Sequence, residues 1–270
     1  MLKSALGSIR GVVGKRRLVW DLAKADFRKR FVGSYFGVAW LFIQPMATIL
    51  VYFCVFQLGM KSSPPVGGPY VLWLIPGIVP WFFVSETVSL CTNCLPEYHY
   101  LVKKVVFPVE ALPVIKWASC LMVHGIFLGV MMVVFLLYGR WPMLSWVQVV
   151  YYALAASAFS LAVGYLTSAV QVFFKDMAQV VGICLQFGIW LAPIMWSPAM
   201  FPGAPAWLDQ VLKINPVYYL VAGYRDSFLT GDWFWERPML TLYFWAVTMA
   251  LFAFGVGVFG KLRPHFSDVL

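Results

Sequence analysis

The stretch Phe173–Arg225, FFKDMAQVVGICLQFGIWLAPIMWSPAMFPGAPAWLDQVLKINPVYYLVAGYR, decides the fold of this chain. An apolar run comes first, a break rich in proline and tryptophan follows, and Asn215-Pro216 opens a second apolar stretch. Asn is a good helix cap and Pro suits the first helical position, which predicts a helix ending near Gly231. A shorter amphipathic helix is predicted from Ala206 to Leu212. We expect both helices to dip back from the outer face of the membrane, where such backbone lines a pathway, with a capping loop that has no gating role as the alternative.

The composition of the whole chain is that of a membrane protein. Of its 270 residues, 62% are hydrophobic and 11% are charged, and the mean hydropathy is +0.81. A soluble domain of this length would carry too much apolar surface. The apolar runs are continuous rather than alternating, so we predict an all-α integral membrane protein and not a barrel.

Six apolar runs are long enough to span a bilayer, which takes about 20 residues. They are Tyr35–Leu58, Tyr70–Leu90, Leu112–Tyr138, Trp146–Phe173, Met177–Trp196 and Leu240–Phe259. We therefore expect a cytoplasmic N-terminal segment over residues 1–34, one transmembrane domain over 35–260, and a cytoplasmic tail over 261–270. The first run is long enough to be retained as a helix rather than cleaved as a signal peptide.

Positive charge predicts the orientation. With both termini inside, lysine and arginine concentrate in the inside segments, and few remain outside. This distribution follows the positive-inside rule and accounts for the net charge of +9. Because the basic residues lie near predicted membrane ends, we expect no nucleic-acid partner.

A basic amphipathic segment precedes the first span. Trp20, Ala23, Phe27 and Phe31 fall on one helical stripe. We expect this helix to lie in the membrane interface, with its cations toward lipid phosphates or a partner. Plain anchoring is the alternative. The interface-helix residues are Trp20, Phe27, Arg28, Lys29 and Arg30.

Chemistry-bearing motifs are sparse. The Gly14-Lys15 and Gly260-Lys261 pairs lack the Ser or Thr of a phosphate-binding loop, and the Cys91/Cys94 pair has no companions for a metal site. His124 is interpreted as a packing or hydrogen-bonding residue, with a proton relay as the alternative. We therefore predict no catalytic residue, metal or cofactor in this chain. A proton-driven transporter and a membrane-embedded glycosyl or acyl transferase, with Glu97 and His99 as its nearest candidates, remain open.

Several short motifs, in order, resemble the permease subunit of type-two ATP-binding-cassette exporters for polysaccharides and teichoic acids. These motifs are Pro76–Phe83, Leu101–Pro113, Phe174–Asp176, Asn215-Pro216, Tyr224-Arg225 and Phe266–Leu270. The resemblance runs from about residue 20 to the end of the chain. Ala192-Pro193 stands where many members carry Ser-Pro, and Lys175 where many carry Arg; both changes keep the local character.

The resemblance implies a homodimer joined to two copies of a separate ATPase, which binds ATP and magnesium. The implied cargo is a polysaccharide linked to undecaprenyl diphosphate, with O-antigen as the first candidate. The implied location is the bacterial cytoplasmic (inner) membrane, whose lipids surround the protein. Capsule or teichoic acid export is the alternative, as is a drug or small-lipid exporter of the same superfamily.

The resemblance also implies roles for particular residues. Leu95 to Phe107 corresponds to a coupling helix seated in the ATPase, and the first and fifth spans to the walls of a channel. The coupling candidates are Leu95, Tyr98, Tyr100, Leu101, Lys103, Lys104 and Phe107. The channel candidates are Tyr52, Phe53, Phe56, Phe187, Trp190 and Trp196. The external-gate candidates are Asn215, Pro216, Tyr218 and Tyr219.

Overall fold

The computed structural model of the chain describes residues 15–30, 32, 35–61, 64–103, 107–201, 203 and 205–270, and the regular structure within these ranges is entirely helical. The helices are α1 Arg16–Lys29, α2 Trp40–Tyr52, α3 Tyr70–Glu97, α4 His99–Val102, α5 Ala111–Leu137, α6 Val149–Phe173, α7 Met177–Leu191, α8 Ala206–Ile214, α9 Pro216–Arg225, α10 Pro238–Leu262 and α11 Phe266–Val269. Short 3-10 turns precede α2 and α6, and π-helical turns extend α2 to Gly59 and α9 to Thr230.

Within the described ranges, five helical units are long and apolar enough to cross a bilayer. These units are Gly37–Gly59, Tyr70–Glu97, Ala111–Leu137, Leu144–Phe173 and Pro238–Val269. They confirm the all-helical class and the helices of five of the predicted spans.

The prediction for the fifth span, Met177–Trp196, is wrong in its extent. α7 ends at Leu191 and has 15 residues, about 22 Å at 1.5 Å per residue. The residue before a proline avoids the helical region, and Ala192, which precedes Pro193, has φ −90° and ψ 126°. The chain therefore leaves the helix before Trp196.

The two short helices after α7 form where the sequence places them. Asn215 caps α9, its side-chain oxygen accepting a hydrogen bond from the Val217 amide at 3.0 Å, and Pro216 is the first helical residue. Gly231, at φ +87°, ends the π-helical extension of α9 in the left-handed region that glycine adopts without strain. The start and end signals of this helix are confirmed.

Ion pairs gather segments distant in sequence at one end of the bundle, named here the Asp26 end. Asp26 of α1 contacts Lys116 of α5, which also contacts Glu97 at the end of α3. Arg263, just after α10, pairs with Glu110, just before α5. The opposite end, named the Arg225 end, holds the start of α3, the end of α7, and helices α8 and α9.

Helix α3 is the centre of the bundle. In the apolar stretch of α3, 78% of the residues are buried, whereas in that of Gly37–Gly59 only 6% are buried. Apolar side chains of α3, α5, α6 and α9 form one continuous core. The first span thus lies at the periphery of the subunit, with most of its apolar surface uncovered.

Helices α6 and α10 approach closely at Gly255. A Cβ atom at this position would lie 2.7 Å from the Ala162 carbonyl oxygen and 3.2 Å from the Leu166 amide nitrogen. Both are backbone atoms, so the helices can relieve such a contact only by separating. Glycine sets the distance between these two spans.

Gly255→Ala is expected to lower the free energy of unfolding by about 1–3 kcal/mol, as overpacking does. Gly125→Ala is the matched control, since a Cβ there meets no atom within 4 Å. Denaturant titration of the purified subunit in detergent measures both. Equal stabilities of the two variants would contradict the close crossing.

Candidate functional site

An apolar groove at the Arg225 end brings together four of the predicted channel residues. Tyr52, Phe56, Trp190 and Trp196 line one cavity of about 930 Å³ between the end of α2, the end of α7 and the segment leading into α8. This cavity is named the aromatic groove. Its remaining lining residues are Val51, Val55, Met60, Phe201, Gly203, Pro205 and Leu208.

The other two channel candidates do not line this groove. Phe53 packs, partly buried, against the core that includes Tyr70 and Trp73. Phe187 is 65% exposed on α7. The channel role of all these aromatic residues stays a prediction.

Hydrogen bonds and ring contacts hold the groove in shape. Phe56 stacks on Tyr70, with ring centroids 6.1 Å apart and planes inclined by 15°. The Tyr70 hydroxyl donates to the Met195 carbonyl at 2.5 Å, and the Trp196 indole N–H donates to the Trp190 carbonyl at 3.0 Å. The rings thus present apolar faces while their polar atoms bond to backbone carbonyl groups, one at the end of α7 and one beyond it. The motifs alone give no signal for the contribution of Tyr70.

Arg225 fixes the turn that carries Trp196. Among the described residues its guanidinium donates three hydrogen bonds, to the carbonyl oxygens of Trp73 at 3.2 Å, Pro193 at 2.7 Å and Ile194 at 2.5 Å. The guanidinium carbon also lies 3.5 Å from the centroid of the Trp73 ring. A Cβ on Gly77 would lie 2.7 Å from the same guanidinium, so glycine makes room for it. Arg225 thereby satisfies backbone that has left the helix.

Of the external-gate candidates, Asn215 and Pro216 form the start of α9, and the two tyrosines that follow differ in their surroundings. Tyr219 is buried, and its hydroxyl bonds to the Tyr151 hydroxyl at 2.8 Å and to Thr241 Oγ1 at 3.1 Å. It therefore ties α9 to α6 and α10. Tyr218 is only partly buried and lines a second, smaller cavity. Whether any of these residues opens or closes a path stays a prediction.

At the Asp26 end, α1 packs on the bundle through a face that shares only Ala23 with the described residues of the predicted stripe. Its buried residues are Val19, Ala23 and Asp26, whereas Trp20 is half-exposed and Phe27 partly buried. The aromatic residues are thus set to one side of the face that packs on α5. Their interface role stays a prediction.

The cations at the end of α1 do not all point away from the chain. Lys29 pairs with Glu97 at 3.0 Å and Arg30 with Glu86 at 2.5 Å, whereas Arg28 is exposed. Two of the predicted interface cations therefore already hold carboxylates of α3.

A buried ion pair connects α1 to the neighbouring helices. Asp26 Oδ1 lies 2.6 Å from Lys116 Nζ, and both side chains are 3% exposed. The Tyr98 hydroxyl donates to the same carboxylate at 2.8 Å, and Lys116 reaches Glu97 at 2.7 Å. Burial by itself would raise the pKa of Asp26, but the hydrogen bond and the charge of Lys116 hold it below its ordinary value. We name Asp26, Lys116, Glu97 and Tyr98 the Asp26 network.

The described part of Leu95–Phe107, the segment predicted as a coupling helix, is divided between the end of α3 and a separate short helix, and its coupling role stays a prediction. α3 continues to Glu97 because Leu95 belongs to the core, and the separate helix α4 has only four residues. The coupling candidates accordingly differ in exposure: Leu95 and Tyr98 are buried, Leu101 and Phe107 partly buried, Tyr100 and Lys103 exposed, and Lys104 lies outside the described residues, as does Phe31 of the α1 stripe.

His124 is placed for hydrogen bonding and packing. Its Nε2 lies 2.7 Å from the Tyr224 hydroxyl, and its ring stacks on Phe83 at 4.5 Å. The Nδ1 atom of His99 lies 3.2 Å from the Pro96 carbonyl oxygen. The Glu97 carboxylate pairs with Lys29 and Lys116. The interpretation of His124 as a packing residue is confirmed.

The chain belongs to the ABC-2 type transporter family, which matches residues 17–229. The match runs from α1 to the turn after α9 and so includes the aromatic groove, Arg225 and the Asp26 network. This chain is therefore a multi-pass membrane protein of the permease type.

Three relatives align over most of the chain. It is 26% identical to the O-antigen export system permease protein RfbA of Klebsiella pneumoniae over 254 residues, 92% of this chain and 93% of that protein. It is 25% identical to the protein of the same name in Myxococcus xanthus over 262 residues, 96% of this chain and 98% of that one. It is 24% identical to the inner membrane transport permease YadH of Escherichia coli K12 over 209 residues, 74% and 79% of the two chains.

Asp26→Asn is expected to lower the free energy of unfolding by about 3 kcal/mol, because it leaves Lys116 buried without its closest carboxylate. The pKa of Asp26 is lower in the folded protein than the ordinary value of 3.8, so the ion pair stabilises the folded state at neutral pH. This stabilisation is lost as the pH falls through the lowered pKa of folded Asp26. Thermal unfolding and hydrogen exchange of residues 16–30 measure the effect. The control is Asp21→Asn, whose exposed pair with Lys24 contributes about 0–1 kcal/mol. Wild-type exchange of α1 in Asp26→Asn would contradict the role of the network.

Proposed function

We propose that this chain is the channel-forming subunit of an ATP-driven exporter that moves a lipid-linked polysaccharide, first of all O-antigen, across the bacterial inner membrane. The observation that carries this proposal is the aromatic groove. Relatives named as O-antigen export permeases support it, since they align with nearly the whole chain.

The chemistry of the groove suits a sugar polymer. Tyr52, Phe56, Trp190 and Trp196 offer flat rings, and its volume of about 930 Å³ exceeds that of a single-sugar site. Aromatic faces bind the apolar faces of pyranose rings without a fixed hydrogen-bond register. A polymer can therefore slide along them, as export requires.

A homodimer would close the groove into a channel. Among the described residues of α2 only Leu41 is buried, and among those of α7 only Val181, so most of the surface of both helices is left uncovered within one subunit. A second copy placed with its α2 and α7 opposite these would cover them and leave aromatic surface on both walls. In this arrangement α7 and the turn after it make the sixth crossing, and α8 and α9 are re-entrant from the outer face.

The Asp26 end would face the cytoplasm, because the basic residues concentrate there. The ATPase, in two copies, would contact exposed Tyr100 and Lys103 and hold the ATP and magnesium itself. Buried Tyr98 connects this contact to Asp26 of α1. ATP-driven closure would thus tilt α3 and α1 together while α8 and α9 part at the outer face.

The undecaprenyl-diphosphate end of the cargo would travel along α1 and the surrounding lipid. Capsule and teichoic acid export would use the same machinery with another glycan. A drug or small-lipid exporter of the same superfamily is the alternative, and the cargo assay below separates it.

Trp190→Ala is expected to reduce glycan export at least ten-fold, because it removes one wall of the groove while its backbone carbonyl still accepts from Trp196. Export of O-antigen is measured in cells that synthesise the glycan and express the permease with its ATPase. Trp141→Ala, an exposed tryptophan outside the groove, is the control. Full export by Trp190→Ala would contradict the groove, and export of a small lipid instead of glycan would contradict the cargo.

Lys103→Glu is expected to uncouple export while leaving the helices folded, because Lys103 is exposed and reversal of its charge would repel a surface that accepts a cation. ATPase co-purification and ATP turnover in proteoliposomes measure the coupling. Lys61→Glu, at the other end of the bundle, is the matched charge reversal. Wild-type ATPase binding together with wild-type export in Lys103→Glu would refute the assignment.

A further inference from the structure

A second cavity lies behind one wall of the aromatic groove. It has a volume of about 250 Å³ at the Arg225 end and is named the polar cavity. The segment between α7 and the middle of α8 separates the two cavities: Trp196 and Leu208 line the groove, whereas Ser197 and Asp209 line the polar cavity. The groove and the polar cavity are therefore neighbours with opposite chemistry.

The charged groups of the polar cavity balance each other. Arg225 and Arg237 supply donors, and Asp209 and Asp226 supply acceptors. Asp226 pairs with Arg237 at 2.9 Å, while Asp209 turns one oxygen toward Lys213 at 2.5 Å. An anion would meet two carboxylates here and a cation two guanidinium groups. A neutral ligand with many hydroxyl groups can use both kinds of partner at once.

Arg225 has hydrogen-bonding capacity left toward the cavity. A guanidinium has five N–H donors, and among the described residues three acceptors engage that of Arg225, all carbonyl oxygens. The two carboxylates of the cavity pair with other cations, Asp226 with Arg237 and Asp209 with Lys213. Arg225 lines the cavity with two donors that no described residue engages.

An apolar side completes the cavity. The partly buried Tyr218 ring, Pro198 and Val221 lie among its lining residues. A sugar ring has an apolar C–H face and a rim of hydroxyl groups, so it matches an aromatic ring on one side and charged groups on the others. The volume lies just below the roughly 300–1,000 Å³ of pockets that hold drug-sized ligands, which suits one ring and not an oligosaccharide.

We propose that the polar cavity binds one neutral monosaccharide unit, with Tyr218 stacking on its ring and Asp209, Asp226, Arg225 and Arg237 holding its hydroxyl groups. The site rests on the proposed function, since the polymer in the aromatic groove would supply the sugar. A unit bound there would be held by directional hydrogen bonds, unlike the units that slide through the groove.

The test is saturation-transfer NMR on the full-length permease in lipid nanodiscs. The probes are the methyl glycosides of glucose, galactose, mannose, rhamnose and N-acetylglucosamine, with glucuronate and inorganic phosphate as anionic probes. At least one neutral glycoside is expected to receive saturation. The signal is expected to fall at least five-fold in Tyr218→Ala and in Asp209→Asn, and to remain in Trp190→Ala, which alters only the groove.

Matched controls separate the site from general effects of substitution. Trp207→Ala removes an exposed aromatic ring from the same short helix as Asp209 but lines neither cavity. Asp21→Asn removes a carboxylate at the other end of the bundle. Both should keep the wild-type signal, and thermal unfolding checks that every variant is folded.

Three results would overturn the site: no transfer to any neutral glycoside, transfer unchanged in folded Tyr218→Ala and Asp209→Asn, or preference for glucuronate or phosphate. The export assay stands apart from these results. Glycan export by a subunit whose polar cavity binds no sugar would remove this site and leave the proposed function intact. Sugar binding in a subunit that exports no glycan would remove the proposed function and leave a sugar site.

Discussion

The Arg225 guanidinium, shared by the carbonyl oxygens of Trp73, Pro193 and Ile194, is the interaction on which the groove and its surroundings depend. Pro193 ends α7 early, and backbone that leaves a helix within an apolar bundle needs donors from elsewhere. Arg225 supplies them from α9, and Gly77 leaves the space on α3 that makes the approach possible. The start of α3, the turn after α7 and helix α9 therefore form one unit. This unit also positions the rings of the aromatic groove: Tyr70 bonds to Met195 in the turn, and Trp196, which lies in the turn, bonds back to Trp190 at the end of α7.

At the opposite end of the bundle, the Asp26 end, a buried ion pair holds the helices together. There a carboxylate and an ammonium group are both buried. Burial of a charge costs free energy, and only close partners of opposite charge or hydrogen-bond donors offset this cost. Asp26 receives Lys116 and the Tyr98 hydroxyl, and Lys116 also receives Glu97. The result joins α1, α3 and α5, and Tyr98, the residue before α4, takes part in it. In the proposed mechanism this link would carry a displacement of α4 to α1.

At the Arg225 end, one segment separates two chemically different surfaces. Trp196, Phe201 and Leu208 of this segment line the aromatic groove, whereas its polar residues Ser197 and Asp209 line the polar cavity. In the proposed function the rings would hold a polymer weakly at many positions, whereas the paired charges would hold a single unit at a defined one. The periphery of the subunit carries the groove because α2 contributes almost nothing to the core. The surface that the proposed homodimer would share is thereby kept apart from the helices that form the core of one subunit.

The sequence by itself determined the elements whose formation depends on neighbouring residues and on transfer into lipid. The long apolar runs became helices, and Asn215, Pro216 and Gly231 marked the start and end of α9 as their conformational preferences require. The sequence, through its family resemblance, also predicted Tyr52, Phe56, Trp190 and Trp196 as channel residues. Nothing in the residues around them indicated that they line one cavity.

Only the tertiary structure decided which faces and ends of these helices are used. α1 buries Asp26 rather than its aromatic stripe because its partner, Lys116, lies on another helix. α3 extends to Glu97 because Leu95 finds a place in the core, and the role of Arg225 exists only where α3, α7 and α9 meet. Helix propensity and hydropathy act along the chain, whereas the pairing of a buried charge or a free carbonyl depends on groups that are distant in sequence.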